Sequence, residues 1–164
     1  MRAIHHPESR TVPEQPTAVV RATLRHDELG DWVGTACAQI AHYLHRHGVA
    51  SCGFPFARYH LRRDGSFEVE AGLPVPAPIV GDARVRPSSL PGGPVVAVWH
   101  IGPYEQLGTA YQALNDWLRI EHGVHTGDPW EVYHGPVRRD PQSWRTEVIQ
   151  PFVLVRAEVD AGGS

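Results

Sequence analysis

The pattern Pro-aromatic-x-x-Tyr-His occurs twice, as Pro55-Phe-Ala-Arg-Tyr-His60 and as Pro129-Trp-Glu-Val-Tyr-His134, at a separation of 129 − 55 = 74 residues. A second pair, Glu70-Ala-Gly-Leu-Pro-Val75 and Glu147-Val-Ile-Gln-Pro-Phe152, follows at 147 − 70 = 77. Matches in the same order at nearly one offset are the mark of a duplication, and they limit the fold to one in which two equivalent units share a core. A chain of 164 residues, 41% of them hydrophobic, has the material to bury such a core without disulfides.

Within each unit the hydrophobic period switches in the same order. Residues 17–24 are rich in β-branched and small apolar side chains and read as a strand, with Pro13 and Pro16 holding its entry extended. Asp27-Glu28 open a helix whose Leu29, Val33, Cys37, Ile40 and Leu44 share one face, and Gly48 stops it. Phe56–Leu61 and Phe67–Glu70 are two more strands around an Asp64-Gly65 hairpin signal. In the second unit Val95–Ile101 is a strand, Gly102-Pro-Tyr-Glu leads into a helix burying Leu107, Tyr111, Leu114 and Leu118, and Gly123 ends it. The expected fold class is α+β: two β-α-β-β repeats about a pseudo-twofold axis, with antiparallel sheets, one main helix per repeat and a ligand groove between them. Repeat one spans about 12–76 and repeat two about 94–158, inside a single domain of about 1–160. The Pro/Gly-rich stretch of about 77–93 is a connector with one short extended piece around Ala83–Arg86, and the tail 160–164 is expected to fray.

Several function classes drop out. The formal net charge is −3 and no Lys/Arg stripe follows either helix, so no direct nucleic-acid partner is expected. No apolar run is long enough for a bilayer and the first residues lack a signal-peptide core, which points to a cytoplasmic protein without a membrane partner. Cys37 and Cys52 lack the spacing of a zinc or redox pair and read as reduced thiols. His42, His45 and His47 cluster near a helix end without a carboxylate at ligand spacing, so neither a metal nor a cofactor is expected.

The candidate site follows from alternation along the second copy of the motif. Trp130 and Val132 point one way and Glu131 and Tyr133 the other. With the apolar pair packed under the helix, Glu131 and Tyr133 face the opposite side of the sheet beside Tyr59, where the first repeat has Ala57 in place of the acid. A carboxylate between Trp130 and Val132 loses hydration and needs a proton, a tyrosine hydroxyl or a cationic ligand. Trp99, Trp117, Trp130 and Trp144 all fall in the second half, too many for a small core, so some should line a groove. Trp117 reads as core; Phe56, Trp99, Trp130 and Trp144, with Tyr104, are the candidate ring walls. Glu147 is a second acidic candidate, with Arg145 and Thr146 beside it making a structural bond an equal reading.

Taken together, Leu90-Pro-Gly-Gly93, Val98-Trp-His-Ile-Gly-Pro-Tyr-Glu105, Glu131-Val-Tyr133 and Trp144-Arg-Thr-Glu-Val-Ile-Gln-Pro151 make the chain resemble the GyrI-like small-molecule-binding family from about Val12 to Phe152. That family includes stand-alone DNA gyrase inhibitory proteins and the effector-binding domains of AraC-type and MerR-type multidrug regulators. The resemblance implies a ligand groove between the repeats in which the glutamate of the Glu-x-Tyr motif, here Glu131, attracts cationic aromatic compounds. No helix-turn-helix segment is read in the chain, so a stand-alone binder of small hydrophobic or cationic aromatic molecules is expected. Two alternatives stand beside it. One is a hydrolase of cyclopropane-bearing alkylating natural products, with Glu131 as base and Tyr104 or Tyr133 as donor. The other is an interaction protein acting on DNA gyrase or a separate regulator.

Overall fold

The computed structural model describes residues 5–134 and 140–155. The tail expected to fray, 160–164, and the end assigned to repeat two lie outside the described residues. The chain forms β1 (Glu8–Val12), β2 (Gln15–Leu24), α1 (Leu29–Arg46), β3 (Phe56–Leu61), β4 (Phe67–Pro74), β5 (Arg86–Leu90), β6 (Gly93–Ile101), α2 (Leu107–Glu121), β7 (Gly123–His125), β8 (Trp130–His134) and β9 (Arg145–Leu154). A single 3-10 turn leads into each helix, His26–Glu28 before α1 and Tyr104–Gln106 before α2.

Local chemistry sets most boundaries. The β3–β4 turn has Gly65 at φ +86° and Asp64 accepting from the Ser66 amide at 2.9 Å, the bond expected of an Asp-Gly hairpin. Gly48 follows α1 with φ +65°. The second helix ends differently from expectation: His122, at φ +60°, takes the left-handed position, and Gly123 begins β7. A side chain at Gly123 would sit 2.6 Å from the Leu118 Cδ2, so the glycine is there for close approach rather than for the cap.

All pairings are antiparallel, and the strand order is β1-β6-β9-β8-β3-β4-β2-β5, with β7 on β9. The duplication is visible in this order, since β2, β3 and β4 are mirrored by β6, β8 and β9 around the central β3–β8 pair. Two strands complete the symmetry. β1 precedes β2 as β5 precedes β6, yet β1 pairs with β6 of the second unit and β5 with β2 of the first. Each unit is therefore β-β-α-β-β and lends its leading strand to the other. The connector's extended piece is Arg86–Leu90, shifted from the expected 83–86 because Asp82 uses its carboxylate to bind the amides of Arg84 and Val85 in a turn.

The eight-strand path would span roughly 34 Å if flat. Instead Val12 of β1 and Leu90 of β5, from opposite ends of the path, pack on one cluster with Val19, Phe56, Val95, Ala97, Trp130 and Ile149. The sheet is thus rolled around this inner core. Its outer face carries the helices: α1 lies on Ala18, Val20, Ala71 and Leu73, and α2 on Val96, Val98, Val148 and Phe152. This reverses the expected sidedness of β8. Trp130 and Val132 belong to the inner core, not under a helix, and Glu131 and Tyr133 share the helix-bearing face. The physical reason is that both faces of a rolled sheet are apolar, so the apolar side of a strand need not be the helix side.

Candidate functional site

Glu131 sits on β8 at the middle of the sheet, paired across β3 with Ala57 and across β9 with Val148, in the strip between the two helices. It is 7% exposed. Tyr111 of α2 donates its hydroxyl to Oε2 at 2.5 Å, and Tyr133 of β8 donates to Oε1 at 3.0 Å. Because the Tyr133 proton is used on the carboxylate, its oxygen accepts from Tyr59 of β3 at 2.8 Å. The bonds run in one sense, from Tyr59 to Tyr133 to Glu131, with Tyr111 arriving from the other side. The motif's two tyrosines meet across the pseudo-axis because Tyr59 and Tyr133 hold matching backbone bonds, Tyr133 N–H to the Pro55 carbonyl at 2.9 Å and Tyr59 N–H to the Pro129 carbonyl at 3.4 Å.

Ring walls stand around this floor. Tyr104 lies 5.5 Å from Tyr133 at a steep angle and 4.6 Å from Trp144. Gly102, at φ +136°, donates its N–H to the Trp144 carbonyl at 2.8 Å, which ties the turn carrying Tyr104 to the start of β9. Tyr59, Tyr111, Tyr133 and Trp144 are half-buried and Tyr104 is exposed, so the residues are partly open to solvent while the carboxylate and the hydroxyls of Tyr59, Tyr111 and Tyr133 lie buried.

Burial raises the Glu131 carboxyl above its ordinary value, against the opposing pull of the Tyr111 and Tyr133 hydroxyls. Among the described residues, no arginine contributes to holding it ionised. Burial, and after it the nearby glutamate, raises Tyr133, Tyr111, Tyr59 and Tyr104, keeping these hydroxyls protonated as donors. Cys37 is close enough to add a small upward push on Tyr59, and burial holds its own thiol at about 11, so it is a neutral wall.

Of the nine residues singled out from sequence, Glu131, Tyr133, Tyr59, Tyr104 and Trp144 come together here. The structure places the other four on the opposite, inner side of the sheet. Phe56 and Trp130 fill the inner core, with the Arg58 guanidinium 5.7 Å from the Trp130 ring centre. Glu147 is 8% exposed and receives both Arg10 nitrogens at 3.1 and 3.2 Å, an ion pair in place of the expected Arg145 or Thr146 contact. Trp99 is 48% exposed and packs edge-on to His134 at 4.5 Å. Open depressions near Arg25–Asp27 and near His60–Asp64 are lined by solvated charges and do not include Glu131.

Tyr111 was the functional residue that sequence reasoning took for core. Its signal was a hydroxyl on a leucine-lined helix face whose counterpart in the first repeat, 78 residues earlier (111 − 33 = 78), is Val33. Among the described residues no group of three or more His, Cys, Asp or Glu side chains is placed to hold a metal ion, and no helix is long and apolar enough to cross a membrane.

The EcmrR C-terminal domain superimposes with a TM-score of 0.78 at 21% identity, covering 93% of this chain and all of that one. In the EcmrR–DNA complex the TM-score is 0.81 at 21% identity, and this chain covers 58% of the EcmrR chain. A hydrolase from Listeria innocua matches at TM-score 0.65 and 15% identity over 90% of this chain and 91% of that one. SAV2435 bound to tetraphenylphosphonium matches at 0.58 and 10% over 90% and 94%. At these identities the likeness is one of fold. No curated protein matches the sequence. The family model of the GyrI-like small molecule binding domain, however, matches residues 5–153, and with the paired repeats and the central acid in place the chain belongs to the GyrI-like family.

Proposed function

We propose that this protein is a cytoplasmic receptor or sequestering protein for small apolar, cationic aromatic compounds of the drug or xenobiotic kind, with Glu131 as the charge-selecting group. The observation that carries this reading is the contrast between two buried carboxylates. Glu147 has a built-in cation in Arg10, whereas Glu131 is held, among the described residues, by tyrosine hydroxyls alone. A carboxylate kept dry and without a counter-charge gains most from a cation that arrives with a ligand. The half-buried rings of Tyr59, Tyr111, Tyr133 and Trp144 and the exposed ring of Tyr104 offer the faces for apolar burial and cation–π contact. Tetraphenylphosphonium on the structural neighbour SAV2435 supports this ligand class.

Thermal unfolding with ethidium tests it. At about 100 times the Kd, a site-bound ligand should stabilise the native state by about 2.7 kcal/mol. Absence of any shift with ethidium and with tetraphenylphosphonium would overturn the reading.

The same group supports a hydrolytic reading, favoured by the raised carboxyl of Glu131 beside protonated tyrosine donors and by the Listeria innocua neighbour described as a hydrolase. Incubation with a cyclopropane-bearing alkylating compound separates the two: recovery of intact compound supports binding alone, and a water-added, ring-opened product supports turnover.

A further inference from the structure

The strip of sheet between the two helices has two ends, and the duplication lets them be compared position by position. At the Glu131 end stand Tyr104, Trp144 and Tyr111. The equivalents at the other end are His26 (104 − 26 = 78), Phe67 (144 − 67 = 77) and Val33. His26 and Phe67 pair at 6.3 Å where Tyr104 and Trp144 pair at 4.6 Å, and the ring that meets Tyr59 edge-on, at 6.3 Å, is Phe67, whereas Tyr104 is the ring that meets Tyr133. The floor there is Ala57, fully buried, in place of Glu131, and Cys37 beside Tyr59 stays a neutral thiol. His26 carries no negative charge in either protonation state. Asp27 and Asp64 stand nearby but in solvent, Asp64 turned onto Ser66 at 2.6 Å, where their field is screened.

We propose that the groove takes its ligand in one orientation, the cationic ring over Glu131 between Tyr104, Trp144 and Tyr111, and a neutral apolar ring over Phe67 and Tyr59. This rests on the binding function proposed above and narrows its ligand class to elongated aromatic cations with the charge at one end. Phe67 and His26 become specificity-determining residues, because a second positive charge brought to their end would lose water without meeting a carboxylate.

Three probes of one shape test this by titration calorimetry: N-methyl-phenylpyridinium with the rings joined para to nitrogen, methyl viologen with a charge on each ring, and neutral para-methylbiphenyl. The singly charged probe should bind tightest, methyl viologen about tenfold weaker despite its extra charge, and the neutral probe weaker by a similar factor. His26→Glu, at an exposed position, adds a carboxylate to the neutral end and should raise methyl viologen affinity several-fold more than that of the singly charged probe. Methyl viologen binding as tightly as the single cation, or His26→Glu raising both cations equally, overturns the orientation while leaving the binding function intact. Failure of all three probes to bind overturns both.

Discussion

The two halves of this protein are alike where they hold the fold and unlike where they face a ligand. Phe56 and Trp130, 74 residues apart (130 − 56 = 74), are 1% and 3% exposed in the same inner core, and Tyr59 and Tyr133 bond to each other across the axis. One residue along from each member of the core pair, Ala57 faces Glu131; on the helices, Val33 faces Tyr111. Packing demands the same shape from both copies, since each fills half of one rolled sheet. Polarity is free to diverge because one buried carboxylate is tolerated at the axis, whereas a second one 74 residues earlier, at Ala57, would repel it across the β3–β8 pair.

That comparison can be broken at its symmetric part first. Phe56→Ala and Trp130→Ala should each destabilise the protein by about 3–5 kcal/mol in denaturant titration, since both leave a large cavity in a core that both halves share. Losses differing by more than about twofold would mean the halves do not carry the core equally. Next comes the asymmetric part. Glu131→Gln should weaken a cationic aromatic ligand by about 2–3 kcal/mol and a neutral one of the same shape by under about 0.5 kcal/mol, measured by calorimetry. Equal losses would remove charge selection from its role.

The pH dependence sharpens this. The Glu131 carboxyl is raised in the folded protein above its ordinary 4.5, so folding favours its protonated form. Its contribution to stability therefore increases as pH falls through the folded value toward 4.5, while the charge that a cation needs is lost over the same window. Cation affinity should drop by up to about tenfold per pH unit below the folded value, and the Glu131→Gln protein should show a flat profile. The smallest expected effect compares the paired tyrosines. Tyr133→Phe removes a donor to Glu131 and the acceptor of Tyr59, and should weaken cations by about 1 kcal/mol. Tyr59→Phe removes only the outer link and should cost about half as much.

Much of this was legible in the sequence. The repeat, both helices and the paired Pro-aromatic-x-x-Tyr-His strands followed from period and order, and Glu131 with Tyr133 was recognisable as a pair pointing one way. What could not be read was which way. Alternation divides β8 into two faces but is blind to which of them a helix covers, and in a rolled sheet both faces are apolar. β1 escaped for a related reason: Glu8-Ser-Arg-Thr-Val12 is an edge strand with Val12 as its one apolar side chain, so it lacks the apolar alternation that marks a strand. Arg86-Pro-Ser-Ser-Leu90 hides β5 in the same manner. Missing β1 also hid Arg10, and with it the ion pair that holds Glu147.

The exchanged leading strands have a mechanical consequence. A cleft between two lobes usually widens by hinging, but here each lobe is gripped on its far flank by a ribbon from the other, and the two are stitched together along β3 and β8 as well. Prising the lobes apart would shear three hydrogen-bonded seams at once. Any widening of the space between the two helices must therefore come from the helices riding over a stiff floor, a matter of side-chain repacking rather than of opening and closing.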